Sequence, residues 1–170
     1  YRCVSDQSCW DPAYNLGKVA CDRVLLTGAE VLELNLNQKI PSFPWQVLVS
    51  NDLFAKEDIS FPEGRLLEDI GTTYKLFGGA KIVSSLPLQL YNYRSRDGSI
   101  MTSNPWRHQA AVENALEMER YVQIRFPQFT SAARCLVVEF SVNWLYSNLL
   151  MKSWSFNPMK WIPSRRENKE

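Results

Sequence analysis

The sequence contains a single histidine, and this scarcity limits the chemistry available to the chain. A catalytic triad or a histidine-rich metal site would have to rely on His108 alone. The sequence has no nucleophile elbow, zinc-protease motif, phosphate-binding loop or dinucleotide fingerprint. We therefore predict a protein that is not an enzyme and that uses neither a cofactor nor a metal ion.

Concentrated charge and long apolar runs are also missing. The formal net charge is +1, and the charged residues of both signs are spread along the chain. We therefore expect no nucleic-acid partner, because binding a nucleic acid would require a basic cluster. No apolar run approaches the roughly 20 residues of a membrane-spanning helix. The length predicts one domain over residues 1–170, and because the sequence begins at Tyr1 and not at Met, we expect a fragment or a processed product.

Cysteines are few, and none of them forms a CxxC pair, so a zinc site is poorly supported. Cys3, Cys9 and Cys21 lie together in a segment without clear periodicity, which is typical of a disulfide-stapled loop in an oxidising compartment. Cys135 lies within an apolar run and is expected to be a buried free thiol.

The run from Ala133 to Phe156 is the strongest apolar pattern in the chain. Leu136, Val138, Phe140 and Val142 alternate with other residues, which predicts a strand. A second apolar run at 149–151 predicts an antiparallel neighbour, and the pair could equally be an ordinary core hairpin.

Other segments predict more strands and one helix. Alternation predicts strands at 30–37, 72–76 and 81–90, with Gly78 and Gly79 forming a bend between the last two. A helix is predicted over 104–125, because Asn104 and Pro105 suit a helix start and an apolar stripe recurs at helical spacing. The expected fold class is α+β: a mostly antiparallel β-sheet with a packed helix at about 104–125 and a disulfide-stapled N-terminal loop.

The final third of the chain resembles the extracellular polycystin domain of the polycystin family of cation channels. The resemblance rests on the order of several short matches rather than on one specific motif. They are Ala133-Arg134, the apolar run 135–138, Glu139, Phe140-Ser141-Val142, Phe156-Asn157-Pro158 and Ile162-Pro163-Ser164. Upstream of them, Gly78-Gly79 resembles the Gly-rich start of a strand in the family. Asn143-Trp144 departs from the family's Tyr-Asn, which indicates a divergent member or an accessory subunit.

This resemblance implies a non-catalytic domain on the extracellular face of the plasma or ciliary membrane. Since the family's domain begins earlier than Tyr1, the resemblance also implies that an N-terminal portion of the domain is missing. Such a domain would assemble with other polycystin-family subunits, in a homo- or hetero-oligomer such as a tetrameric channel, and would influence gating. The spacing of Cys9 and Cys21 resembles that of the family disulfide. The predicted loop at 92–103 then supplies Arg94, Arg96 and Asp97 as candidate contacts with a neighbouring subunit.

Two other functions stay open on the residues alone. The chain could be a secreted or cell-surface module that binds glycans or protein ligands through Trp10, Trp144, Trp154 and Trp161. An enzyme that uses carboxylates within 52–69 is the least supported, because no constellation of catalytic residues accompanies them.

Overall fold

Helices dominate the part of the chain that the structure, a computed structural model, describes: residues 2–4, 25–85, 91–94 and 106–150. In chain order the elements are β1 (Arg2–Val4), β2 (Leu25–Thr27), α1 (Gly28–Leu36), a 3₁₀ turn (Pro44–Gln46), α2 (Asn51–Lys56), α3 (Glu68–Gly79), β3 (Ile82–Ser84), β4 (Asn92–Arg94), α4 (Arg107–Arg125), a 3₁₀ turn (Pro127–Phe129), α5 (Thr130–Leu145) and a π-turn (Tyr146–Leu150).

The predicted fold class, a mostly antiparallel sheet, is wrong. Helices hold 68% of the described residues. The described strands are three residues long and form two separate two-stranded sheets. β1 pairs with β4 in parallel and β2 pairs with β3 antiparallel, with Leu26 opposite Val83. β3 confirms part of the strand predicted at 81–90. Cys9 and Cys21 lie outside the described residues, so the predicted disulfide staple stays a prediction.

The core lies among α1, α3, α4 and α5. The predicted helix at 104–125 is confirmed as α4, although Asn104 and Pro105 lie outside the described residues. Its apolar stripe is buried as expected, but it packs against other helices rather than against a sheet. The buried core cluster consists of Val31, Leu32, Leu36, Tyr74, Phe77, Ala115, Met118, Val122, Ala133 and Leu136.

The segment predicted as a strand at 30–37 is the helix α1. Thr27 and Glu30 form a reciprocal capping box, in which Glu30 accepts from the backbone and hydroxyl of Thr27 and returns its own backbone N–H to that hydroxyl. These hydrogen bonds hold the pKa of Glu30 below its ordinary value. The helix buries Asn35, and its Nδ2 donates to the carbonyl of Ile40 at 2.8 Å. Local capping chemistry therefore overrides the apparent alternation.

The strand predicted at 72–76 is also wrong, because α3 runs through it to Gly79. Asn114 of α4 is fully buried and fixes the start of this helix. Its Nδ2 donates to the carbonyls of Leu66 and Leu67, at 3.1 and 2.8 Å, and Leu67 has a left-handed backbone with φ of 55°. A contact between segments distant in sequence thus positions α3.

Gly78 and Gly79 form the last turn of α3 and not the predicted bend between strands. A Cβ atom at Gly78 would lie 2.9 Å from the ring of Phe126, and one at Gly79 would lie 2.7 Å from Glu57. Both glycines therefore allow neighbouring side chains to approach the end of the helix closely.

The strand predicted over 136–142 is the helix α5, and only residues 149 and 150 of the second predicted strand are described, in the π-turn. Leu136 and Phe140 face the core, while Val138 and Val142 are exposed. An apolar residue at every second position arises here because two faces of one helix are apolar, not because a strand alternates.

Candidate interaction surface

α5 packs against the rest of the molecule with one face. Ala133 and Leu136 are buried, and Ala132, Val137 and Phe140 are partly buried against the core. This face contacts α4 along its length and, over a shorter stretch, α1. The opposite face of α5 is turned to the outside of the bundle.

That outer face carries a row of apolar side chains, which we call the α5 stripe: Val138, Val142, Leu145 and Leu149. Each of the four is 45–63% exposed. They follow one another at intervals of four, three and four residues, which keeps them on one side of a helix. A helix that is apolar on both faces is normally buried on both. The α5 stripe is therefore the strongest candidate for a surface that binds something.

A shallow apolar depression lies at the C-terminal end of the α5 stripe. It has a volume of about 300 Å³ and is lined by Val142, Leu145, Tyr146 and Leu149. The π-turn contributes the last two of these residues, so this turn keeps Leu149 beside Val142 and Leu145. π-Helical turns are rare and often occur at functional sites.

Opposite charges flank the α5 stripe on its two sides. Arg134 lies on the side of α4, where its Nε donates to Glu119 at 2.8 Å. Glu139 lies on the side of α1, where it accepts a hydrogen bond from Nε2 of Gln38 at 2.5 Å. The side chain of Arg134 remains 65% exposed, so this contact leaves it accessible to a partner.

A second polar cluster joins α4 to α3 and serves a different purpose. Glu117 accepts hydrogen bonds from Lys75 at 2.8 Å and from Arg65 at 2.5 Å. Burial by itself would raise the pKa of Glu117, but the two hydrogen bonds outweigh it and hold the pKa below its ordinary value. The Glu117 carboxylate thus binds both cations, so the cluster stabilises the packing of α4 against α3.

Two other titratable groups among the described residues, Tyr74 and His108, have pKa values that are shifted mainly by burial. Burial is the main reason why the pKa of Tyr74 is raised, with the nearby Glu117 adding to it. His108 has its pKa lowered, first by burial and then by Arg107 beside it. In the described parts of the chain, no three His, Cys, Asp or Glu side chains come together in a way that could hold a metal ion.

The structure brings together some of the residues singled out from the sequence and separates others. Val142 lies on the α5 stripe, and Arg134 and Glu139 lie beside it. Phe140 packs on the core, and the Ser141 hydroxyl donates to the carbonyl of Val137 at 2.7 Å. Gly78 and Gly79 lie at the end of α3. Arg94 closes β4, and Arg96 and Asp97 lie outside the described residues, as do Cys9 and Cys21.

Sequence reasoning missed the α5 stripe as a unit. The predicted strand includes Val138 and Val142, whereas Leu145 lies between the two predicted strands. The signal that would have revealed them is the four-three-four spacing, which a strand does not produce. Cys135 was expected to be buried, but it is exposed and reduced, and it lies three residues before Val138 on the same side of the helix.

Comparison with protein-family models, with curated proteins and with solved structures finds no match to this chain. Within residues 2–4, 25–85, 91–94 and 106–150, none of the helices combines the length and the hydrophobicity needed to cross a bilayer.

Proposed function

We propose that this chain is an assembly domain that binds an apolar helix of a partner protein along the α5 stripe. The observation that carries the proposal is the exposure of four apolar side chains in one row on a helix whose other face already lies in the core. Water-exposed apolar rows of this kind mark protein–protein contacts. A partner that covers the row would remove this apolar surface from water.

The shape of the surface favours a helix over a small ligand. From Val138 to Leu145, where α5 ends, the stripe extends about 10 Å at the rise of an α-helix, and Leu149 continues it in the π-turn. Small-molecule sites are concave and enclose most of the ligand, whereas the depression beside Leu145 is shallow and is formed by consecutive turns of one segment. A second amphipathic helix, with anchors at the same spacing, fits such a row along its whole length.

The charge around the stripe favours a protein over a lipid surface. Helices that lie on membranes carry Lys and Arg on their polar face, where these residues meet anionic headgroups. Arg134 beside the stripe is matched by Glu119, and the segment 135–149 contains no Lys or Arg and one acidic residue, Glu139. Polar positions along α5 are otherwise neutral residues such as Ser141 and Asn143.

The experiment that tests this function compares two matched glutamate substitutions in the full chain. Val142→Glu places a charge in the middle of the stripe, whereas Ile124→Glu does so at an 81% exposed position on α4. Neither change touches the core, so we expect each to alter the stability of the isolated chain by less than about 0.5 kcal/mol. A photo-crosslinking amino acid at position 142 or 124 supplies a direct record of what contacts each position.

In cells of the source organism, position 142 should yield a defined covalent adduct and position 124 should not. On native sizing, wild type and Ile124→Glu should migrate as an assembly larger than one chain, and Val142→Glu should not. If position 142 gives no adduct, or if Val142→Glu leaves the assembly intact, the α5 stripe is not an interaction surface.

The role implied by the resemblance to polycystin domains stays a prediction. No comparison tests it, nor the membrane localisation, the channel partners or the lack of catalysis that go with it. The same holds for the alternative of a secreted or cell-surface module that binds glycans. Assembly through α5 is compatible with a subunit-contact role but is supported by different residues from Arg94, Arg96 and Asp97, the contacts that the resemblance implied.

A further inference from the structure

We infer that the partner helix is α5 of a second copy of this chain, packed in parallel and in register about a two-fold axis. This inference rests on the proposed function, because it names the occupant of the α5 stripe. Three features of α5 support it: the spacing of the stripe, the types of residue at each place in that spacing, and the charges on either side.

The spacing of the stripe is that of a coiled-coil seam. In a heptad lettered a to g, Cys135, Val142 and Leu149 fall at a, and Val138 and Leu145 fall at d. The central layers of this seam have β-branched Val142 at a and Leu145 at d, a combination that favours two parallel strands. All five side chains are exposed and lie on the outer face of α5.

The flanking charges match a parallel pair of identical helices. Arg134 occupies position g, and Glu139 occupies the next position e, five residues later. In a parallel coiled coil, position g of one helix faces position e of the following heptad on its partner. The two-fold axis would therefore create two equivalent ion pairs between Arg134 of one copy and Glu139 of the other. In an antiparallel pair g faces g and e faces e, so these two residues would not meet.

The contacts that Arg134 and Glu139 make within one chain are compatible with these ion pairs. Arg134 binds Glu119 through Nε, and a guanidinium has five N–H donors in all. Glu139 accepts from Gln38 on one oxygen, Oε2, and a carboxylate has a second oxygen. Each side chain therefore has the capacity to form the contact between copies without releasing its partner within the chain.

The test uses the purified full chain and the geometry of Cys135. In a parallel, in-register pair the two Cys135 residues face each other across the axis, at a separation that a disulfide can span. Diamide, which accepts two electrons and two protons from a pair of thiols, should convert the wild type into a covalent dimer. Cys135→Ser should abolish this product. Adding Val138→Cys to Cys135→Ser should restore it, because position d also meets itself, whereas adding Ile124→Cys should not.

Sedimentation equilibrium without oxidant supplies the second measurement. Wild type should associate to a dimer, and Glu139→Lys should weaken the dimer by about tenfold, because each of two favourable charge pairs becomes repulsive. Glu139→Gln should weaken it less. Each variant is first checked for an unchanged helical circular dichroism spectrum.

A chain that stays monomeric at all concentrations, or that is not crosslinked through either Cys135 or Val138→Cys, would overturn the inference. Covering of the stripe by residues 151–170 of the same chain, or by a different protein, would give that result. The proposed function is judged separately by the adduct at position 142: an adduct with a different protein would retain it while removing the second copy as the occupant.

Discussion

Replacing Gly28 by alanine sets two physical effects of opposite sign against each other. Gly28 is the first residue of α1, where alanine is the better helix former by about 0.5–1 kcal/mol. However, Gly28 is buried, and a Cβ atom there would collide with the backbone carbonyl oxygens of Phe77 and Ala80. Helix propensity alone predicts stabilisation, whereas the packing of α1 against the end of α3 predicts the reverse.

The steric effect should win because the colliding atoms belong to the backbone. A flexible side chain could rotate away, but the carbonyls of Phe77 and Ala80 can move only if α1 and α3 separate. Overpacking of this kind costs typically 1–3 kcal/mol and sometimes more. A Cβ atom that lies well under 3.0 Å from two carbonyl oxygens belongs at the upper end of this range. After subtraction of the propensity gain, we therefore expect Gly28→Ala to lower the free energy of unfolding by about 2 kcal/mol. For a chain of this length that corresponds to a fall in Tm of about 4–8 °C.

Thermal unfolding followed by circular dichroism would measure this change, with Gly64→Ala as the control. Gly64 has a left-handed φ of 68° and open space around it, so alanine there costs only the backbone strain, about 1–2 kcal/mol. Gly28→Ala should therefore be at least as damaging as Gly64→Ala, although its own backbone is helical. A Tm for Gly28→Ala that equals or exceeds the wild-type value would refute the close packing of α1 on α3.

Two further predictions concern polar groups that join the helices. The folded-state pKa of Glu117 lies below its ordinary value of 4.5, so the unfolded chain binds more protons in acid and stability is lost as the pH falls below that value. Urea unfolding of Glu117→Gln should show a weaker loss between neutral and acid pH than wild type, and an unchanged pH dependence would contradict this role. At Asn114, alanine should cost about 2 kcal/mol by removing the Nδ2 donor that the carbonyls of Leu66 and Leu67 share, although the Leu67 carbonyl keeps the backbone N–H of Gly71. Aspartate should cost about 3–5 kcal/mol by facing both carbonyls with a buried charge. Equal urea midpoints for the two Asn114 variants would rule out the hydrogen bonds to Leu66 and Leu67 as the reason for the effect.

The parts of the fold that the sequence predicts correctly are those in which one pattern is decisive. α4 combines a single apolar stripe at helical spacing with an exposed polar face, and Pro127 ends it. α1 was predicted incorrectly even though a decisive local signal was present. Thr27 followed by Glu30 is a capping box, but the alternating Leu32, Leu34 and Leu36 suggested a strand. Helix α1 instead buries neighbours such as Leu32 and Leu36 four residues apart.

α5 illustrates an ambiguity that periodicity cannot resolve without knowledge of the surroundings. One set of apolar residues faces the core and another faces outward. In the sequence the two sets together resemble the continuous apolar run of a buried strand. Glu139 and Val142 were identified from the sequence, but as parts of a strand rather than of a helical surface. The position of Asn114 against Leu66 depends on how two distant helices pack, and no local pattern encodes it.

The connections between elements also bear on the order in which the chain folds. α4 and α5 are neighbours in sequence, joined by the short turn Pro127–Phe129, so their pairing closes a small loop and can form early. The pairing of β1 with β4 places Cys3 opposite Tyr93 and must close a loop of more than half the chain, so it should form late. A folding intermediate with the helical hairpin in place would therefore already display its outward apolar side chains to water while the first strand is still unpaired.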